Sequence, residues 1–274
     1  MNIKIFCKTI NYYYLLDKLP KYIIPLGLGK NVFPKHWLND SKLQNISHLN
    51  KYYGEITGLY WLWKNITSNY DKKESYWIGS CQYRRLWLNN LFFKKQKFSI
   101  SNLYSNLLNC NNEIFSSSEA ILVQPVFFSR QNLYEQFNTV HKTGVKLLEI
   151  CSDFLNKKEK KNFLNYLNKN RLSCFNMFIT KPKFFNSYCE ELFPWINKCF
   201  KFCKKNKLLK SYNVRLPAFL AERFTSYWFT QNLNVRYLSH ARIGGCLLSN
   251  NINKYFNTIK FPFTFRMYPT LHKY

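Results

Sequence analysis

The sequence predicts an α/β domain with a mostly parallel central sheet. Three observations carry this. Short apolar runs rich in aromatic and β-branched residues recur at 3–7, 22–28, 76–83, 120–128 and 174–180. Segments of helical period lie between and after them, at 47–64, 132–156, 157–170, 182–204 and 216–231. Strands that alternate with helices in this way build parallel sheets through crossover connections. Finally, hydrophobic residues are 46% of the 274 and aromatics 19%, which is enough for a sizeable core. No internal repeat and no clear linker divides the chain. It reads as one domain over 1–274, with a first part to about residue 130 and a second from about residue 131.

The first strand is the run at 3–7. The second apolar run, at 22–28, is interrupted by Pro25 and ends near Gly27 and Gly29, which allow a tight turn or close backbone approach. These glycines do not make a G-x-G-x-x-G fingerprint, and no Walker motif follows, so a dinucleotide or P-loop reading has little support. The helix from 47 places Leu49, Tyr53, Ile56, Tyr60 and Trp63 on one apolar face, with Ser47 as its N-cap and Lys64 in its last turn. Glu55 sits among these aromatics, either on the polar face or paired with Arg84 or Arg85.

The run at 76–83 has no charge, and it delivers Arg84 and Arg85 at its tip. Arg is suited to meeting an anion, because its planar fork makes two parallel hydrogen bonds to a phosphate or carboxylate. In open α/β sheets ligands bind at the carboxyl ends of the strands. This stretch therefore reads as the phosphate end of a site.

A Lys/Asn-rich segment runs to Phe98. The strand at 120–128 is broken by Pro125, and the helical stretch at 132–156 contains His141 and is interrupted by Gly144. The segment 157–170 is a basic helix with a solvated face, and 174–180 is a strand carrying Asn176 at its buried end. Pro182 opens a long amphipathic helix. The helix at 216–231 holds Glu222 and Arg223 among apolar residues, where charge is costly unless paired. Strand-like pieces and a basic aromatic tail fill 235–274.

The net charge is +27, from 41 Lys+Arg against 14 Asp+Glu, which favours nucleic acid, anionic lipid or phosphorylated substrates. The nine cysteines show no C-x-x-C pair, and even Cys199 and Cys203, one helical turn apart, have no clustered His. They read as reduced, buried thiols of a cytoplasmic protein. No apolar leader is read at Met1–Cys7, and no run approaches the ~20 apolar residues of a bilayer span.

Four motifs are familiar in their order. The first holds Asn45-Ile46-Ser47, Asn50, Tyr53, Glu55, Thr57-Gly58-Leu59-Tyr60-Trp61 and Trp63-Lys64-Asn65. The others are Ile78-Gly79 with Cys81-Gln82-Tyr83-Arg84-Arg85, then Asn176-Met177-Phe178-Ile179, then Arg215 with Phe219-Leu220-Ala221-Glu222-Arg223. Together they resemble the bacterial polysaccharide glycosyltransferases catalogued as domain of unknown function 4422, over most of the chain. Family members often carry His where this chain has Gln82.

The resemblance implies a GT-A-like fold, a nucleotide-sugar-binding α/β sandwich with helices on both faces. It implies transfer of a sugar, galactose or galactofuranose among the options, from a nucleotide diphosphate donor. The donor is expected to be a uridine diphosphate sugar. The acceptor is expected to be a lipid-linked glycan of capsule, O-antigen or exopolysaccharide synthesis, met at the cytoplasmic face of an anionic membrane. The first part of the chain would bind the donor and the second the acceptor. Donor contacts are expected from Gly27, Gly29, Asn45, Ser47, Asn50, Glu55, Lys64, Gln82, Tyr83, Asn176, Arg215 and Arg223, and an acceptor contact from His141.

Many GT-A enzymes hold a divalent metal with Asp-x-Asp, but the four aspartates here, Asp17, Asp40, Asp71 and Asp153, include no such pair. A metal remains open under the resemblance but is not required, and Arg84 and Arg85 are expected to take its place on the leaving diphosphate. An inverting transfer also needs a base. Glu222 is the first candidate, ahead of Asp40 and Glu55, against a structural ion pair with Arg223 or Arg215. Two other classes stay open: a basic nucleic-acid-binding protein, which lacks a recognisable binding motif here, and a non-catalytic membrane-associated scaffold.

Overall fold

The computed structural model describes residues 2–67, 76–89, 100–109 and 113–243. Asp71, Cys110, Cys246, the Lys/Asn-rich stretch at 90–98 and the tail at 244–274 lie outside the described residues. The chain runs β1 (Asn2–Thr9), α1 (Tyr14–Asp17), β2 (Ile23–Gly27), β3 (Leu38–Asn39), α2 (Asn50–Tyr53), α3 (Ile56–Asn65), β4 (Tyr76–Gln82), β5 (Arg85–Trp87) and α4 (Ile100–Asn106). It continues through β6 (Ala120–Val123), β7 (Val126–Phe127), α5 (Leu133–His141), α6 (Leu147–Ser152), α7 (Lys157–Leu167), β8 (Arg171–Leu172) and β9 (Phe178–Thr180). The last described elements are α8 (Pro182–Lys205), α9 (Leu216–Asn232), β10 (Val235–Leu238) and β11 (His240–Arg242).

Among the described residues nine strands share one sheet, in the order β10-β6-β9-β4-β1-β2-β3, with β5 paired to β4 and β11 to β5. β1 pairs in parallel with β2 and β4, as do β2 with β3 and β10 with β6. β9 runs antiparallel to both β4 and β6, and the short β5 antiparallel to β4 and β11, so the sheet is mostly parallel with two reversed strands among the described residues.

Side chains alternate along the strands and feed two cores. Phe6, Ile78, Ala120 and Leu122 face a core built with α3, α8 and α9, while Ile5, Trp77, Ile121 and Val123 face a second core that includes Leu15, Leu16 and Leu103. Helices therefore cover both faces of the sheet, as the family resemblance implies.

Local departures have local causes. The helix expected from 47 is a 3-10 turn at Ser47–Leu49, then α2, then α3. Gly54 divides the last two with φ 52° and ψ −131°, a conformation that excludes the helix and favours glycine. Ser47 is not the expected cap: its hydroxyl donates to Asn45 Oδ1 at 2.8 Å, and the turn starts after Ile46 without a side-chain cap. The 120–128 strand splits at Pro125, and β7 pairs with β8 in a separate two-stranded sheet. The 132–156 helix becomes α5 and α6 around Gly144, and Asn132 and Glu135 close a capping box at the start of α5. The 174–180 strand begins only at Phe178, because Phe175 and Asn176 have φ of 77° and 48°.

Candidate active site

The chain order of the sheet reverses at β1. The chain leaves β1 for β2 on one side, and β4 returns to the other side, and it is beyond the carboxyl ends of strands at such a switch point that open α/β sheets bind ligands. Lys8 and Gln82 stand opposite each other at that edge. Tyr83 follows, its N–H donating to Lys8 O at 3.1 Å and its ring stacked on Tyr13 at 4.8 Å. A tight turn then brings Arg85 back beside Gln82.

The two arginines part company here. Arg84 is exposed, with its guanidinium 5.1 Å from the Tyr83 ring. Arg85 turns inward, donates to Gln82 Oε1 at 3.0 Å and lies 3.8 Å from the centre of the Phe175 ring. Its Nε is buried with no hydrogen-bond partner, and Arg85 is in none of the ion pairs among the described residues. Burial, and then the nearby Arg242 guanidinium, lower the Arg85 pKa, opposed by Glu222.

The bend at Phe175–Asn176 is the hub of the site. Left-handed backbone at Phe175 is costly for a bulky side chain and persists only where neighbours hold it. The neighbours do so at each polar group. Phe175 N–H donates to Glu222 Oε1 at 2.5 Å, and Phe175 O accepts from Gln82 Nε2 at 2.9 Å. Asn176 O accepts from Ser80 Oγ at 3.2 Å and from Lys8 Nζ at 3.4 Å. The Asn176 side chain donates to Glu55 Oε1 at 2.9 Å and accepts from Thr225 Oγ1 at 3.0 Å. Glu55 completes the chain by taking Arg215 Nη2 on Oε2 at 2.8 Å. Gly54 leaves the room for this pair, since a Cβ there would stand 2.3 Å from Arg215 Nη2.

Glu222 is partly buried, and its pKa is raised, first by burial and also by the Glu55 carboxylate. The ion pair weighed against a base role does not form. Among the described residues Arg215 bonds Glu55 instead, and Arg223 turns to α5, where it donates to Gln136 Oε1 and lies 4.6 Å from the Phe137 ring.

Of the residues expected at a donor site, Glu55, Gln82, Tyr83, Asn176 and Arg215 lie together at this edge with Arg85 and Glu222, which were expected to be catalytic. Gly29 and Asn50 flank it. Gly29 N–H donates to buried Asp40 Oδ1 at 2.7 Å, and Asn50 Nδ2 donates to Gly54 O and to Thr57 Oγ1, each at 3.0 Å. Gly27 lies under the Phe33 ring, where a Cβ would meet Cδ2 at 2.3 Å.

Others lie elsewhere. Asn45 and Ser47 bond each other within their loop. The Lys64 ammonium lies 3.2 Å over Trp63, which stacks on Phe193 of α8. His141 is 4% exposed between Phe137, Phe219 and Tyr212, with Nδ1 3.1 Å from Asn213 Oδ1. Burial and then Arg223 push its pKa down to about 4. This is a packed, neutral imidazole at the position where the resemblance implies an acceptor contact.

Sequence reasoning passed over three residues. Arg242 faces Arg85 across the β11–β5 pair, and His240 packs edge-on against Phe175 at 5.3 Å. Both sit on a strand of three residues, too short to give a periodic signal. Lys8 was legible, as a charge inside an apolar strand. It is 2% exposed, and burial lowers its pKa to about 8, opposed first by Glu55.

Lys8 gives a direct prediction. Its folded pKa lies below its unfolded value of 10.5, so the charge opposes folding at neutral pH, and the penalty is relieved as pH rises from about 8 to 10.5. Lys8→Met is expected to raise unfolding stability at pH 7 by roughly 2 kcal/mol after loss of the Asn176 contact. The gain should shrink across that pH window in denaturant titrations. A variant no more stable than wild type at pH 7 would show that Lys8 carries no buried charge.

The groups at the strand tip are guanidiniums, an ammonium, an amide, an imidazole and the carboxylates of Glu55 and Glu222, which are engaged by Arg215, Asn176 and Phe175 N–H, and burial with Arg85 and Arg242 pushes His240 down to about 3. Among the described residues no three His, Cys, Asp or Glu side chains converge to hold a metal. Likewise no described helix is long and apolar enough to cross a membrane.

Comparison with known proteins gives two findings. The family profile described as domain of unknown function (DUF4422) matches residues 4–233. Among solved structures, the fold resembles the apo structure of WbbM, titled a bifunctional glycosyltransferase, with a TM-score of 0.67 at 17% identity over 89% of this chain. The chain spans 46% of that structure's length. No curated protein matches.

Proposed function

The chain belongs to the family described as domain of unknown function (DUF4422), and we propose that it is a glycosyltransferase that moves a sugar from a nucleoside diphosphate donor to a glycan acceptor. The observation that carries this reading is the Arg85 guanidinium, turned inward at the sheet's switch point with a buried Nε that lacks a partner. Fold likeness to a structure titled a glycosyltransferase supports it.

In this reading the diphosphate lies over the carboxyl ends of β1 and β4. As the bond from the sugar's anomeric carbon to the diphosphate oxygen breaks, negative charge builds on the leaving group. Arg85, fixed on Gln82 and Phe175 before the reaction, stabilises that charge without reorganising. No metal is needed in this account. Lys8 and the Glu55–Arg215 pair hold the Phe175–Asn176 bend that orients Arg85 and Glu222. Glu222, its proton affinity raised by burial, takes the acceptor hydroxyl proton as the acceptor oxygen bonds to the anomeric carbon. The Tyr13–Tyr83 stack offers an aromatic face for the nucleobase beside those strand ends.

The donor class is a uridine diphosphate sugar, with galactose or galactofuranose as the sugar. The acceptor is a lipid-linked glycan of capsule, O-antigen or exopolysaccharide synthesis, reached at an anionic membrane surface to which the +27 charge is suited. A thermal-shift screen against nucleotide sugars in EDTA tests this. One uridine diphosphate sugar should stabilise the protein saturably and keep doing so at moderate salt. Response to no nucleotide, together with single-stranded nucleic acid binding that collapses as salt rises, would replace the reading with a nucleic-acid one.

A further inference from the structure

We propose that β11 supplies the second half of the diphosphate site: Arg242 and His240 bind the phosphate groups together with Arg85. The inference rests on the transferase reading and deepens it. It concerns residues beyond the span that the family profile matches, which ends at residue 233.

The register is the first argument. β11 pairs antiparallel with β5 so that Arg242 stands opposite Arg85 and His240 opposite Trp87. Like charges directly opposite on paired strands repel and weaken the pairing. The fold nevertheless fixes β11 firmly. Ala241 is fully buried against Leu86, and Ile243 N–H donates to Arg84 O at 2.9 Å. An anion between the two guanidiniums turns this repulsion into a binding site.

Convergence is the second argument. Arg85 stacks on the Phe175 ring at 3.8 Å, and His240 meets the same ring edge-on at 5.3 Å. Phe175 is itself held in left-handed backbone by Glu222 and Gln82. A guanidinium and an imidazole are thus indexed to one rigid aromatic next to the proposed base, and Arg242 stands opposite that guanidinium in the strand register. Burial, and then the neighbouring guanidiniums, keep His240 neutral, so it acts as an N–H donor and adds no third charge. Arg85 Nε, buried and without a partner, supplies a further donor.

Calorimetric titration in EDTA with uridine diphosphate, inorganic pyrophosphate and uridine tests the assignment. Arg242→Gln is expected to weaken uridine diphosphate and pyrophosphate by about ten- to a hundredfold and to leave uridine unchanged. His240→Asn, which keeps an N–H donor, should cost less than Arg242→Gln. Should Arg242→Gln fail to fold, Arg242→Lys, which keeps the charge but loses the fork, should still weaken the diphosphates relative to uridine. Folded variants with wild-type affinity for both diphosphates would overturn the role of β11 and leave the transferase reading standing. A wild-type protein that binds none of the three ligands would overturn both.

Discussion

Arg85→Gln is expected to reduce sugar transfer by about a hundred- to a thousandfold, the scale of removing one preorganised group from a developing charge. The loss should fall mainly on kcat, because the charge on the leaving diphosphate is largest in the transition state. Arg85→Lys should recover only part of it, since an ammonium offers a point charge without the fork and stacks poorly on Phe175. Arg84→Gln provides the contrast. Arg84 is exposed and rests against Tyr83, so its loss should change turnover by less than about tenfold. Equal losses for the two arginines, measured as single-turnover rates, would mean that the inward turn of Arg85 has no catalytic meaning.

The second large effect is expected at Glu222. Glu222→Gln keeps an oxygen to accept from Phe175 N–H, so the bend should survive. Turnover should fall by about a hundred- to ten-thousandfold, the usual range for a positioned base. The pH dependence supplies a sign. Burial raises the folded pKa of Glu222 above its unfolded value, so the stability it contributes is present at acid pH and is lost as pH rises through the folded pKa. The amide variant is therefore expected to be at least as stable as wild type at pH 7 while far slower. The acid limb of the rate profile should also disappear. A Glu222→Gln protein of normal turnover would move the base elsewhere.

Much of this arrangement is legible in the sequence, and the gaps have physical causes. Buried strands declare themselves by apolar runs, so β1, β2, β4 and β6 fall where the runs are. The antiparallel direction of β9 does not, because strand direction is set by its tertiary neighbours β4 and β6. The break between α2 and α3 is written only as a single glycine, and the reason for it, Arg215 filling the space beside Gly54, comes from far along the chain. The Arg84-Arg85 pair at a strand tip is legible as a motif suited to an anion, yet which of them turns inward depends on the turn that starts β5. Glu222 beside Arg223 suggests an ion pair by adjacency. On α9, however, Glu222 meets the N–H of Phe175 while Arg223 reaches α5. Arg242 and His240 carry no local signal at all, and their placement opposite Arg85 exists only in the folded register.

The measurement that bears most directly on this account is the rate of nucleoside diphosphate release from the responsive nucleotide sugar, taken in EDTA and again with Mn²⁺. If guanidiniums hold the leaving diphosphate, the two rates should agree within about twofold, and Arg85→Gln should lower both alike. A rate abolished by EDTA and restored by Mn²⁺ would contradict the arginine-held diphosphate, and with it the central claim.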